Sequence, residues 1–184
     1  MSFGSVPPNR YLQHFDQLMR TISILFICVL LLSACKYKTP ITTEHDIPVD
    51  QHVLGSWKIV PAENQDNQSG ILIFRFSDTE YSVHYHEDGG NLYFRAYAIN
   101  IDGVAAVQLE FIGSDDGPAG EDATERFHVI SYQLENDQLK ISTLNTELVD
   151  DKLDDSESLR KALIKHKENP DLFNEPGFFK RVPD

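Results

Sequence analysis

The sequence predicts a mainly β protein: an antiparallel β-barrel or strongly bent sheet of about seven to eight strands, with one C-terminal helix. Two observations carry this prediction. Short β-like runs separated by turn residues fill most of the chain, and a helical spacing of apolar residues occurs late in it. A closed barrel is favoured because closure leaves no strand edge unpaired. The β domain is expected over residues 53–184.

Turn chemistry separates the β-like runs. Asp88-Gly89-Gly90-Asn91 and Asp102-Gly103 are typical of tight hairpins. In the run after the second turn, Val107, Leu109 and Phe111 alternate with polar residues, as in a half-buried strand. The predicted strands cover residues 53–60, 71–76, 81–86, 92–101, 104–112, 126–134, 139–144 and 178–182.

The helix is predicted at about 156–168. Acidic and hydroxyl side chains at 154–157 supply capping oxygens and negative charge at its start. Asn169-Pro170 ends it. The apolar face that it presents at helical spacing consists of Leu159, Ala162, Leu163 and His166.

A targeting segment precedes the β domain. Residues 22–32 read ISILFICVLLL, which is too short to cross a bilayer but fits the apolar region of a signal peptide. Arg20 lies before the run, and Leu32-Ser33-Ala34-Cys35 follows it. Residues 1–34 are therefore predicted to be a signal peptide, with Met19 as the expected true start. The alternatives are an ordinary signal peptide beside a coincidental cysteine, or a short buried helix.

The Leu32–Cys35 sequence resembles the lipobox of bacterial lipoproteins. That resemblance implies lipidation of Cys35, cleavage before it and acylation of the new amine. Acyl chains on that residue would anchor the protein stably, because two or more chains suffice where one does not. Lys36 stands where an aspartate often retains such proteins in the inner membrane, so the resemblance implies the outer membrane, facing the periplasm.

Composition narrows the classes of partner. Residues 35–184 hold 14 Lys and Arg against 28 Asp and Glu, a net charge of −14. This charge argues against nucleic acid and against electrostatic adhesion to anionic membranes. The chain has two cysteines, Cys28 in the predicted leader and Cys35 at the lipidation position, so neither a disulfide nor a thiol nucleophile is expected. Residues 35–52, with little periodicity, are predicted to be a lipidated tether.

Gly55-Ser56-Trp57 opens the first predicted strand. It resembles the Gly-x-Trp motif of lipocalins and related calycin barrels. The resemblance implies a barrel whose closed end is covered by Trp57, with Arg181 stacked on the indole as a structural barrel-closing pair. The domain also resembles, in layout, uncharacterised bacterial lipoproteins with such domains.

The aromatic residues of the β runs have two interpretations. They fill a core, as side chains normally do in a small barrel, or they line a cavity for an apolar ligand. The candidate lining residues are Phe74, Phe76, Tyr81, Tyr85, Phe94 and Phe111.

Three histidines are weak metal candidates. His84 and His86 share one strand face, and two imidazoles at that spacing can hold zinc or copper with His128 as a third ligand; solvated surface histidines are the commoner case. The acidic pairs near residues 115, 150 and 154 lack calcium-loop spacing.

The sequence shows no catalytic motif, and neither catalytic residues nor a cofactor is expected. The expected function is that of a membrane-anchored, non-enzymatic envelope lipoprotein that binds a small apolar molecule or an envelope protein. The alternatives are a structural or assembly lipoprotein docking onto a membrane complex, and metal binding through His84 and His86.

Overall fold

The computed structural model describes residues 37–60, 69–87, 89–120 and 126–183. They all belong to one compact unit, residues 35–184. The predicted signal peptide, Met19 and Cys35 lie outside the described residues.

The described chain forms a closed antiparallel barrel of eight strands. The strands are β1 Gly55–Ile59, β2 Gly70–Arg75, β3 Tyr81–Glu87, β4 Gly90–Ile101, β5 Val104–Ser114, β6 Gly117–Pro118, β7 Phe127–Glu135, β8 Gln138–Leu144 and β9 Phe173–Arg181. The two-residue strand β6 pairs with β5 and is additional to the eight. Each main strand pairs with its neighbours along the chain, β5 pairs with β7, and β9 closes the barrel by pairing with β1. The predicted fold class is confirmed.

One helix, α1, spans Ser156–Lys165. Asp155 caps it by accepting a hydrogen bond from the Ser158 backbone N–H at 2.8 Å. The helix ends three residues before the predicted limit. The last strand is longer than predicted, because it begins at Phe173 and runs through Pro176 and Gly177. A register shift opposite these residues, between Ile141 and Thr143, accommodates the irregularity.

The barrel has two ends that differ in construction. Strand β1 starts at the end that also holds the 102–103 and 136–137 turns, and a 3-10 turn, Gln51–Val53, covers this end. We call it the closed end. The opposite end, where β1, β3 and β5 finish, is called the open end; the connections 61–68 and 121–125 at this end lie outside the described residues.

Two apolar cores lie on either side of the barrel wall. The inner core lies within the barrel and includes Trp57, Ile71, Tyr81 and Phe179. The outer core lies between the outer face of β4, β5 and β7 and a cover made by α1 and the segment 37–49. The second core exists because the outward side chains of these strands, such as Ile99 and Val129, are apolar.

Residues 37–49, which we call the strap, lie within the segment 35–52 that the sequence predicts to be a lipidated tether. Tyr37 is fully buried, Ile41 is 1% exposed and Val49 is buried over the closed end. Burial of side chains of this size is worth about 1.5–3 kcal/mol each. The segment 37–52 is therefore packed onto the barrel.

Polar contacts fasten the strap to the wall. The fully buried Gln108 accepts a hydrogen bond from the Ile41 backbone N–H at 2.6 Å and donates one to the Thr42 carbonyl at 3.2 Å. His45 lies 3.6 Å from the buried carboxylate of Glu80, which also pairs with Arg95. The strap thus has one defined path across the outer wall.

Candidate functional site

The closed end is sealed by a plug made of residues 49–54. Asp50 is its polar centre: its backbone N–H donates to the Tyr81 hydroxyl at 2.8 Å, and its carboxylate accepts from the Tyr132 hydroxyl at 3.0 Å. The indole N–H of Trp57 donates to the Val53 carbonyl at 2.9 Å. Inward side chains from three strands therefore tie the plug in place.

Trp57 and Arg181 make the contact that the sequence predicts. Arg181 Cζ lies 4.2 Å from the Trp57 ring centroid, and Trp57 is fully buried. The same guanidinium donates to the Leu54 carbonyl at 2.9 Å and to the His52 carbonyl. Gly55 has a φ of +120°, and a Cβ there would lie 3.1 Å from Arg181 Nη1. This explains why the motif begins with glycine.

Burial and hydrogen bonding shift the pKa values of three ionisable groups at the plug. Desolvation raises the pKa of Tyr132, and its hydrogen bond to the Asp50 carboxylate raises it further. Desolvation likewise raises the pKa of Tyr81. Burial opposes ionisation of Asp50, but hydrogen bonds from His52 and Tyr132 outweigh it and lower the pKa of that carboxyl. All three groups with a shifted pKa lie in the plug or form hydrogen bonds with it.

Toward the open end the inward apolar side chains of the barrel are partly exposed. Residues paired directly across neighbouring strands share a face, so the register Ile71–Tyr85–Leu92 and Val107–Ile130 places these side chains inside with Trp57. Several such inward apolar residues remain half-buried. They are Ile59, Val83, Tyr85, Leu92, Leu109, Phe111, Ile130 and Ile141.

These side chains line the inner wall of the barrel next to its open end, where they keep some contact with solvent. We call the space that they border the barrel cavity.

Four of the six predicted lining residues face inward: Tyr81, Tyr85, Phe94 and Phe111. Tyr81 belongs to the plug. Phe94 and Phe111 meet edge to face, with ring centroids 5.7 Å apart. The predictions for Phe74 and Phe76 were wrong, since these side chains are 53% and 66% exposed on the outside. Ile71 and Ile73 take the inward positions of β2, which leaves Phe74 on the outer face.

The three histidines are not brought together. The His84 ring stacks on Tyr93 at 4.8 Å, and its Nε2 lies 2.8 Å from Asn91 Oδ1. His128 pairs with the inward Leu109 and packs edge to face on Phe94, which puts it on the other side of the barrel wall. Over residues 37–60, 69–87, 89–120 and 126–183, no three His, Cys, Asp or Glu side chains gather as a metal would require.

Acidic residues at the open end act as turn acceptors. Asp115 Oδ2 accepts from the backbone and side-chain amides of Asn91 at 3.0 and 2.7 Å. Together with Glu87 and Asp116 it gives the rim beside the cavity a negative charge.

A second concavity, of about 580 Å³, lies outside the barrel between the β5–β7–β8 wall and residues 167–173. Its lining is polar, and Lys167 donates to Asp102 across it at 2.9 Å. No sequence pattern predicts it, because its lining residues come from four separate segments.

The comparisons with known proteins found no match: no family model, no curated protein and no solved structure is significantly similar to this chain. Within the part that the structure describes, no helix has the length and apolarity needed to cross a membrane.

Proposed function

We propose that this chain is an envelope lipoprotein, anchored by lipid on Cys35, whose lipocalin-like barrel takes up a small apolar molecule. One observation carries the binding role: inward apolar side chains in the open half of the barrel keep contact with solvent. A pocket of this kind, lined by aliphatic and aromatic groups, suits an apolar ligand. The localisation is the outer membrane, with the domain facing the periplasm.

The anchor is supported by the resemblance of residues 32–35 to a lipobox. Incorporation of labelled fatty acid tests it, with Cys35→Ala as the control. Wild-type labelling no greater than that of the alanine variant would contradict the anchor.

The ligand-binding role is tested with a neutral fluorescent probe, 1-N-phenylnaphthylamine. Trp57 is the one tryptophan of the chain and lies at the base of the barrel, so it serves as a unique energy-transfer donor. Saturable transfer from Trp57 to the probe is expected. Val83→Phe, which adds volume inside the cavity, is expected to weaken it at least several-fold.

Leu72→Phe is the matched control for that variant. Leu72 is half-buried like Val83, but it points to the outer face of β2. It is expected to leave probe binding unchanged. Probe binding that is unchanged in Val83→Phe would contradict binding in the barrel cavity. Native mass spectrometry of the protein purified from its own membrane would then identify any other bound ligand.

A second function, docking onto an envelope protein, is favoured by the outer aromatic patch, which we define as Phe74 and Phe76. Both rings are more than half exposed, and Arg95 Cζ lies 5.8 Å from the Phe76 centroid. Exposed aromatic and arginine side chains in contact are typical of protein interfaces. Site-specific crosslinking in cells tests this role. A discrete crosslinked product is expected from position 76 and not from position 58. The product from position 76 is expected to be lost in Phe74→Ser.

A further inference from the structure

The first residue that the structure describes is firmly held. Tyr37 is fully buried, and its backbone exchanges two hydrogen bonds with Phe127, at 2.7 and 2.9 Å. Its hydroxyl donates to the Val149 carbonyl at 2.9 Å. The chain therefore leaves the barrel from a fixed point on the outer wall.

Cys35 lies two residues before that point. Two residues of extended chain span about 7 Å at most. If Cys35 carries the anchor, as the proposed function holds, the lipid is attached within this distance of the Tyr37 backbone. An anchor so close restricts which side of the barrel meets the membrane.

Helix α1 lies on the same side as this attachment point. Ser156 Oγ donates to the Pro40 carbonyl at 2.6 Å. Leu159 and Leu163 share the outer core with Tyr37 and Ile41. The strap and α1 thus form one continuous surface, which we call the strap–helix face.

Charge distinguishes this face from the rest of the domain. The strap, residues 37–49, and α1, Ser156–Lys165, contain four basic and three acidic side chains, a net charge of +1 with His neutral. The remainder of residues 35–184 carries a net charge of −15. On α1 itself the exposed residues after Glu157 are Arg160, Lys161, Ile164 and Lys165.

Four aspartates precede the helix in the sequence. Asp150, Asp151, Asp154 and Asp155 precede α1, and Asp150 and Asp155 accept hydrogen bonds from local backbone amides. Basic side chains next to an anionic phospholipid surface are attracted, and acidic ones are repelled over about 8 Å at physiological salt. The strap and α1 are therefore less repelled by an anionic lipid surface than the remainder of the domain, which carries the net negative charge.

We propose that the strap–helix face is the surface with which the anchored domain lies against the phospholipid layer. The wall formed by β1 and β2, on the far side of the barrel, then faces away from the lipid. This orientation leaves the outer aromatic patch accessible to a partner in the aqueous compartment. The proposal rests on the lipidation of Cys35.

Two single-cysteine variants of the lipidated protein test the orientation. Cys35 is consumed by lipid and Cys28 lies in the predicted leader, so an introduced thiol is unique. Ile164→Cys places a fluorophore on α1, and Lys58→Cys places one at an exposed position of β1. The two positions are about 20 Å apart through the domain, given sheet spacing of about 10 Å and a helix diameter of about 10 Å.

Each labelled protein is reconstituted in vesicles of phosphatidylethanolamine and phosphatidylglycerol that contain head-group nitroxide lipid. Quenching is expected to be several-fold stronger at position 164 than at position 58. Equal quenching, or stronger quenching at position 58, overturns the orientation.

Two further experiments separate the effect of the short link from that of the lipid anchor. A flexible Gly-Ser insertion of about 15 residues between Lys36 and Tyr37 is expected to reduce the difference between the two positions, because such a linker frees the domain to rotate. An undiminished difference would contradict the role of the short link. Flotation with vesicles tests the anchor separately: failure of the unmodified protein to float, or flotation of Cys35→Ala to the same extent, contradicts the lipidation and with it the orientation.

Discussion

Arg181 on the last strand lies over the indole of Trp57 on the first, with 4.2 Å between Cζ and the ring centroid, and it donates to carbonyls of the plug at the same time. One guanidinium therefore links the two strands that close the barrel to the segment that covers its end. The pair joins residues 124 positions apart in the sequence.

Arg181→Met is expected to lower the free energy of unfolding by about 2–4 kcal/mol, from the loss of a cation–π contact and of charged hydrogen bonds to two carbonyls. Lys180→Met, at an exposed neighbour, is expected to change it by less than about 0.5 kcal/mol. Urea unfolding followed by circular dichroism measures both. Equal effects of the two substitutions would contradict the role assigned to Arg181.

Gly55→Ala tests the backbone of the same motif. The substituted residue must keep a φ of +120°, and its Cβ would approach Arg181 Nη1 to 3.1 Å. The expected loss of stability is about 1–3 kcal/mol. Gly120→Ala is the control, because its φ is not in the left-handed region and nothing lies within 4 Å of the added Cβ. A stability loss in the control as large as that of Gly55→Ala would rule out the local explanation.

The barrel was predictable from local signals. Alternating residues such as Val107 and Leu109 identify a strand by themselves, and tight turns such as Asp102-Gly103 mark where the chain reverses. Trp57 and Arg181 were found through a motif, not through periodicity. These predictions agree with the structure because the local turn and strand preferences favour the same packing that the folded chain adopts.

The strap and the outer face of β2 were not predictable in the same way. Tyr37, Ile41 and Val49 are buried at irregular intervals along a segment without a repeat, so no period reveals which side is covered. In β2 the residues Ile73 and Phe74 are both apolar, and the sequence does not say which of them faces inward. Only the pairing with β1 and β3 decides that question.

Gln108→Leu is expected to detach the strap. It removes the acceptor of the Ile41 amide and leaves that buried group unpaired, at a cost of about 1–3 kcal/mol, while the Thr42 carbonyl keeps its hydrogen bond from the Tyr97 hydroxyl. Hydrogen exchange at the Ile41 amide is expected to become faster while exchange in β2 stays slow. Gln133→Leu, at an exposed position of β7, is the control. Unchanged exchange at Ile41 in Gln108→Leu would show that apolar packing alone holds the strap.

The plug is expected to make stability depend on pH through Asp50. The pKa of its carboxyl is lowered by folding, so its contribution is present above the unfolded value of about 3.9 and disappears as the pH falls through the folded pKa. Asp50→Asn should therefore reduce stability at pH 7 and make a smaller difference near pH 3. Urea unfolding at both pH values measures this, with Asp116→Asn at the exposed rim as the control. A difference that is the same at both pH values would contradict the linkage.

The acidic rim is expected to select against anionic ligands. Glu87, Asp115 and Asp116 lie on one side of the open end, and carboxylates repel a negatively charged head group over roughly a Debye length, about 8 Å at physiological salt. A fatty-acid probe such as cis-parinaric acid should thus bind more weakly than the neutral 1-N-phenylnaphthylamine, and its affinity should rise with salt while that of the neutral probe stays constant. The double substitution Asp115→Asn and Asp116→Asn should reduce this salt dependence. Tighter binding of the anionic probe at low salt would mean that its head group lies away from the rim, because a carboxylate held beside these three residues cannot gain from their charge.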